Sequence, residues 1–364
     1  MPTQPQISAA NRKYVSPSFT SLADPFYSTI QAAINSITDA SPTNTYGIYV
    51  YPGNYNESIT LTSYISLIGS GIQSIIIKGN GTNPAITGPA TDSGAGQCYI
   101  VGLTIDGNGQ GAFVLSDNSQ TTYKYSFFFD VYIITSVSGN TAITVGNYQL
   151  LRIFNTHIIN QSSIKFDQGI LATGNAQVRI HNSEIAFVSS YCINHQSTEY
   201  TEAYNSFIVG GAACNCTAGI INLYVCQIVG RIDAYNSSKV KHIDSFHAGS
   251  INSYDSSTIW VSGLGWAEES QSDVTFFLSG SGSKIIVTNS RANVSSNSTY
   301  VVYVRSTSAI FKAFNSQFNN PGSGSTITGV SGATVYLYYC VMNKDVNTVS
   351  KSSDSEYIVS ANSE

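Results

Sequence analysis

The sequence predicts an all-β chain, a right-handed, single-stranded parallel β-helix (solenoid) with an N-terminal capping helix. Three observations predict it. A short motif centred on Asn or Asp returns about every 25 residues, with short strand-like segments between copies. Only 10% of the 364 residues are charged, so the surface is left to Ser, Thr, Asn, Gly and Tyr. At 42% hydrophobic residues there is ample material for a core, which excludes wholesale disorder.

The elements follow in chain order. Residues 1–25 read as a polar N-terminal arm able to dock on a neighbour. Residues 27–37 carry apolar side chains at Tyr27, Ile30, Ala33, Ile34 and Ile37, a helical stripe that would plug the open mouth of a solenoid, with Asp24-Pro25 as its cap and first turn. The β-helix domain is expected over 26–342. Its motif reads Phe129-Asp130-Val131, Phe154-Asn155-Thr156, His181-Asn182-Ser183, Tyr204-Asn205-Ser206, Ile243-Asp244-Ser245, Thr288-Asn289-Ser290 and Phe314-Asn315-Ser316. The wide gap between Asn205 and Asp244 fits two shorter turns with Tyr224-Val225-Cys226 between them. No unit of this length buries its apolar face alone; stacked units share one continuous core, with about three strands per turn. Asn at the recurrent position tolerates a left-handed corner and can bond to its copies in adjacent turns. Residues 343–364 read as a polar C-terminal tail, peripheral to the stack.

Charge and cysteines narrow the functional classes. Sixteen Lys and Arg against twenty-one Asp and Glu give a net charge of -5, which disfavours nucleic acid as a partner. No apolar run is long enough for a membrane span, and the first residues show no secretory signal. The six cysteines are read as small, buried, reduced residues; Cys214-Asn215-Cys216 with Cys226 lacks the partners of a metal site. His157, His181, His195, His242 and His247 show no metal-ligand spacing and are expected mostly at the surface or at corners. No cofactor or metal is expected. Gly265-Trp266-Ala267-Glu268-Glu269 reads as a loop excursion with a solvated acidic pair.

The stretch Tyr27-Ser28-Thr29-Ile30-Gln31-Ala32-Ala33-Ile34, then Val50-Tyr51-Pro52-Gly53-Asn54-Tyr55-Asn56-Glu57 and Ile65-Ser66-Leu67-Ile68-Gly69-Ser70-Gly71, resembles the opening of pectin methylesterases and the wider pectin-lyase-like superfamily. The resemblance covers roughly residues 27–80 and implies the capping helix and first turns. The catalytic motifs that it would imply do not follow. Where a methylesterase has its nucleophilic Asp, the nearest segment is Ser206-Phe207-Ile208-Val209-Gly210, and Gly230-Arg231-Ile232-Asp233 lacks the Pro and Trp of the arginine motif. Neither the paired Asp-Asp nor the Gly-His-Gly of polygalacturonases is present.

Equivalent positions should stack into columns. Three residues before the recurrent Asn stand Arg152, Arg179 and Glu202, then Asn222 and Lys241, a column able to grip an anionic sugar. Glu202, Glu199 and Glu184, with Arg179, are the candidates for catalysis. Immediately before the Asn stand Phe154, His181, Tyr204, Tyr224, Phe314 and Tyr338, an outward aromatic stripe suited to another subunit or to sugar rings. Two functions are expected from these features. The favoured one is a non-enzymatic structural or receptor-binding component of an assembly, such as a virion surface, fibre, spike or adhesin. It would be virion-borne or extracellular and homo-oligomeric, with a trimer as one form, and it could hold a glycan. The alternative is a carbohydrate-active esterase, hydrolase or lyase acting on an acidic polysaccharide.

Overall fold

A computed structural model describes residues 11–20, 23–89, 97–115, 121–160, 163–263, 274–293, 300–320, 326–330, 333–342, 346–347, 350–351 and 356–359. The Gly265–Glu269 excursion lies outside them. The chain divides into two compact units, 1–190 and 191–364. Each is built of right-handed parallel β-helical coils.

In the first unit one coil runs Lys124–Phe129, Tyr132–Ile134 and Thr141–Val145; the next runs Gln149–Phe154, His157–Ile159 and Gln168–Gly174. Each strand pairs in parallel with its counterpart one coil on: Phe127 with Arg152 and Arg152 with Arg179, Ile133 with Ile158, Ile143 with Ile170. Inward positions hold Ile100, Phe128, Ile153 and Ile180, all buried, and Phe113 meets Phe128 edge to face at 4.8 Å. The second unit repeats the plan with shorter coils: Tyr200–Tyr204, Ile220–Tyr224, Lys239–Ile243 and Thr258–Ser262 pair in sequence through Ala203, Leu223, His242 and Val261.

The recurrent Asn does what the motif requires. Asp130, Asn155 and Asn182 in the first unit, and Asn205, Asp244, Asn289 and Asn315 in the second, all have φ between 46 and 53°. Asn155 Nδ2 donates to Asp130 Oδ1 at 3.3 Å and Asn315 Nδ2 to Asn289 Oδ1 at 2.9 Å, so the corners are laddered. Val225 takes the same conformation, which places the expected short coil between Asn205 and Asp244. The residue after each corner turns inward. Ser183, Ser206, Ser245, Ser290 and Ser316 donate to the carbonyl two residues back at 2.7–2.9 Å. Cys226 and Cys340 take the same position with a thiol, at 3.3 and 3.4 Å. All six cysteines are buried and free.

Three expectations change. Residues 12–15 are no arm: Arg12–Val15 is a strand, in parallel register with Tyr46–Val50. The helix spans Ile30–Asn35 with Thr29 as N-cap, while Asp24 instead binds Lys13 and Tyr27. Ile30 N and Gln31 N donate to the Glu57 carboxylate at 2.8 and 3.0 Å, which satisfies two of the helix's otherwise orphaned amides. Gln31 Oε1 accepts from Thr60 N, and the buried Tyr55 hydroxyl donates to Tyr51 O, so the opening motifs work as scaffold. Within the tail, Val346–Asn347, Ser350–Lys351 and Glu356–Val359 form strands, each paired with a strand of the stack.

Candidate functional site

The outward columns exist within each unit. In the first, Tyr99, Phe127, Arg152 and Arg179 align in register; Tyr99 stacks on Phe127 at 4.7 Å, and the Arg152 guanidinium lies 5.7 Å from the Phe127 ring. Beside them Phe129, Phe154 and His181 form a second column, with centroids 4.9 and 4.8 Å apart and rings within 6° of parallel. In the second unit Tyr204 stacks on Tyr224 at 4.9 Å and Phe314 on Tyr338 at 4.8 Å. The predicted aromatic residues are therefore brought together as stacks along successive coils of the chain itself.

The acidic candidates do not converge. Glu184 lies past the corner, on the strand after Asn182, where its Oε2 sits 3.0 Å from His157 Nδ1, so it does not share a face with Arg179. Glu202 accepts from Asn222 Nδ2 at 3.4 Å, its neighbour one coil on. Glu199 lies in the bend before Tyr200–Tyr204, not in that column. The histidines also depart from expectation. His195, His242 and His247 are fully buried, because His242 stands in line with Leu223 and Val261, and His247 with Ile228, on the inner side of their strands.

Sequence reasoning passed over the most structured polar cluster. Asn215, Asp233 and Asn252 are cross-strand neighbours on Phe207–Cys216, Gln227–Ala234 and Ile251–Tyr254. Asn215 Nδ2 donates to Asn194 Oδ1 at 2.9 Å, and Asn252 Nδ2 to Asp233 Oδ1 at 2.9 Å. The other oxygen, Asp233 Oδ2, accepts from Arg231 Nε at 2.6 Å. Asp233 is 0% exposed, whereas the Arg231 side chain is 47% exposed. Residues two apart on a strand share a face, so the carboxylate lies beneath and the guanidinium reaches out. Tyr235 and Tyr254 stack next to this pair at 4.6 Å and 6°. Burial, then the Asp233 charge, pushes the Tyr235 hydroxyl up to about 12, and the same two causes raise Tyr254. Burial is the largest single influence on Arg231 and opposes its charge, but the bond to Asp233, the Asp233 charge and the nearby Tyr254 and Tyr191 together outweigh it, so its pKa is raised.

This arrangement can hold an anion. A guanidinium anchored through one nitrogen keeps its remaining donors in a fixed fork that matches a carboxylate. The tyrosine pair supplies an apolar platform with hydroxyls at its rim. Asp233 has both oxygens engaged and no exposure, so it positions Arg231. The strands of this cluster in the second unit contain no further Asp or Glu, whereas glycosidic hydrolysis uses two carboxyl groups. The signal that could have found the cluster is the Arg-x-Asp alternation of Arg231 and Asp233, aligned with Asn215 and Asn252 one coil to either side.

Solved structures similar to this chain include a polygalacturonase from Erwinia carotovora ssp. carotovora, at 14% identity over 99% of this chain and 97% of that one, with a TM-score of 0.44. A pectin methylesterase from carrot is 11% identical over 98% and 91%, with a TM-score of 0.32. The A-module of a mannuronan C-5 epimerase from Azotobacter vinelandii is 14% identical over 95% and 96%, with a TM-score of 0.30. The structural neighbours are thus pectin-lyase-like parallel β-helix proteins, and most bear the names of enzymes that act on polysaccharides. No family model and no curated protein matches the chain.

Proposed function

We propose that this chain is a carbohydrate-active β-helix that engages an acidic polysaccharide at Arg231, with Tyr235 and Tyr254 as the platform for a sugar ring. The observation that carries this reading is the fully buried Asp233 holding a half-exposed Arg231 beside a stacked tyrosine pair. A buried carboxylate is costly unless it is paired, and here the pairing fixes a half-exposed cation in place. The reading belongs to the second of the two functions left open by the sequence. The assembly-component reading draws on the missing catalytic motifs, the low charge and an outward aromatic stripe. The rings of that stripe stack on one another along the chain, which leaves less of each face for a partner.

Calorimetric titration with oligogalacturonides, against neutral oligosaccharides of equal length, tests the reading. Uronate should bind and the neutral sugar should not. Arg231→Gln should weaken binding, and Arg231→Lys, which keeps the charge but loses the fork, should recover part of it. Unchanged affinity in both Arg231→Gln and Tyr235→Ala would remove the proposal. Time-dependent release of reducing ends or unsaturated product from a polysaccharide panel would make the protein an enzyme at this or another site.

A further inference from the structure

A second feature of the 191–364 unit lies on the strands before the corners. Lys239, Thr258 and Lys284 align in register, as do Lys241, Trp260, Ile286, Lys312 and Tyr336. Between them lies a groove of about 510 Å³ whose lining includes Lys239, Lys241, Trp260, Ile243 and Ile286. The five strands Lys239–Ile243, Thr258–Ser262, Lys284–Thr288, Ile310–Phe314 and Thr334–Met342 contain no Asp or Glu. They carry four of the chain's sixteen Lys and Arg residues, and none of these lysines is ion-paired with a described carboxylate. Lys312 lies over the Tyr336 ring at 4.6 Å, Lys239 and Lys241 line the groove with Trp260, and Lys284 stands beyond its lining, one coil on from Thr258.

We infer that this groove is a binding site for a linear anionic glycan, with Trp260 stacking on a pyranose ring and the lysines taking carboxylates on either side. Charge complementarity points to the occupant: a cationic, carboxylate-free strip on a chain of net charge -5. Its geometry suits a linear polymer. Coils repeat at about 4.8 Å, so Lys239 and Lys284 stand roughly 10 Å apart and Lys241 and Lys312 roughly 14 Å. An apolar indole between ammonium groups selects for a ring with an apolar face and a charged substituent, a description that a uronate residue meets. The site lies on different strands from Arg231 and does not depend on it.

Trp260 is its own reporter. The chain has only two tryptophans, so Trp266→Phe isolates its emission. Titration of that variant with oligogalacturonate at low salt should give a saturable change in Trp260 emission that weakens as ionic strength rises. Lys239→Gln with Lys241→Gln should reduce the affinity about tenfold, the sum of two partly exposed ion pairs. Arg231→Gln should leave the Trp260 signal intact, which separates failure here from failure of the Arg231 site. Three results would each overturn the inference: no saturable response to oligogalacturonate, an equal response to a neutral glucan of the same length, or tighter binding of single-stranded oligothymidylate than of the uronate.

Discussion

His242 and His247 meet edge to face inside the second unit, their ring centroids 5.4 Å apart, and none of their four ring nitrogens makes a hydrogen bond. Burial lowers the pKa of both. That of His242 falls well below 6.5, helped by the proximity of His247, and that of His247 falls to about 4, with backbone groups at Gly249 and Ser250 acting in the other direction. Both rings are neutral in the fold. Once the pH drops below 6.5 the unfolded chain binds protons that the folded chain refuses, so stability is level above that pH and declines beneath it until about pH 4 for His247. At 1.36 kcal/mol per pKa unit, His247 accounts for a loss of about 3 kcal/mol. Urea unfolding of wild type and His247→Leu at neutral and mildly acidic pH should show a shallower acid slope in the variant. Parallel slopes would contradict this account.

Three of the corner serines, Ser183, Ser245 and Ser316, carry two bonds each. Ser245 Oγ donates to Ile243 O at 2.8 Å and accepts from Cys226 N at 2.9 Å, in the adjacent coil. Ser245→Ala leaves a buried amide without its partner and should cost about 1–3 kcal/mol. Ser245→Cys should cost less, because Cys226 and Cys340 already occupy this position elsewhere. Chemical denaturation of the two variants tests the ranking.

Asn155 has φ of 48° and bonds to Asp130. A side chain with no local polar group is disfavoured there by about 1–2 kcal/mol. Asn155→Ala should therefore destabilise the protein, and Asn155→Gly should be the milder change despite losing the same bond. Thermal unfolding of both variants gives the comparison, and an equal loss in the two would assign the cost to the hydrogen bond alone.

Burial raises the thiol pKa of Cys98 to about 11 and of Cys192 to about 12, and takes Cys214 well above its ordinary value. Thiolate is the reactive form, so the native protein should resist a thiol reagent such as Ellman's at neutral pH. Denaturant should then release all six cysteines. Fast labelling of any of them in the native protein would show that its coil opens.

Much of the architecture was legible in the sequence for a simple reason. A left-handed corner accepts few residue types, so Asn155, Asn182 and Asn205 advertise it, and the small inward Ser after it is equally constrained. The helix was legible as an apolar stripe, but its start was not. Thr29 and Glu57 share the capping of its first turn, and Glu57, just past the strand Gly53–Asn56, is 27 residues along the chain from Ile30. The buried histidines were misplaced because a polar residue on an alternating strand does not reveal which face its neighbours have closed.

The coil period and the identity of the corner residues were therefore determined by the sequence alone, because local backbone sterics choose those residues whatever lies around them. Tertiary structure decided which charges act together. Arg231 and Asp233 look like any alternating pair until adjacent coils bring Asn252 onto the carboxylate and Tyr254 against Tyr235. Trp260 gains its lysines in the same way, from coils before and after its own. Such groups meet through register between coils, and register is a property of the folded stack.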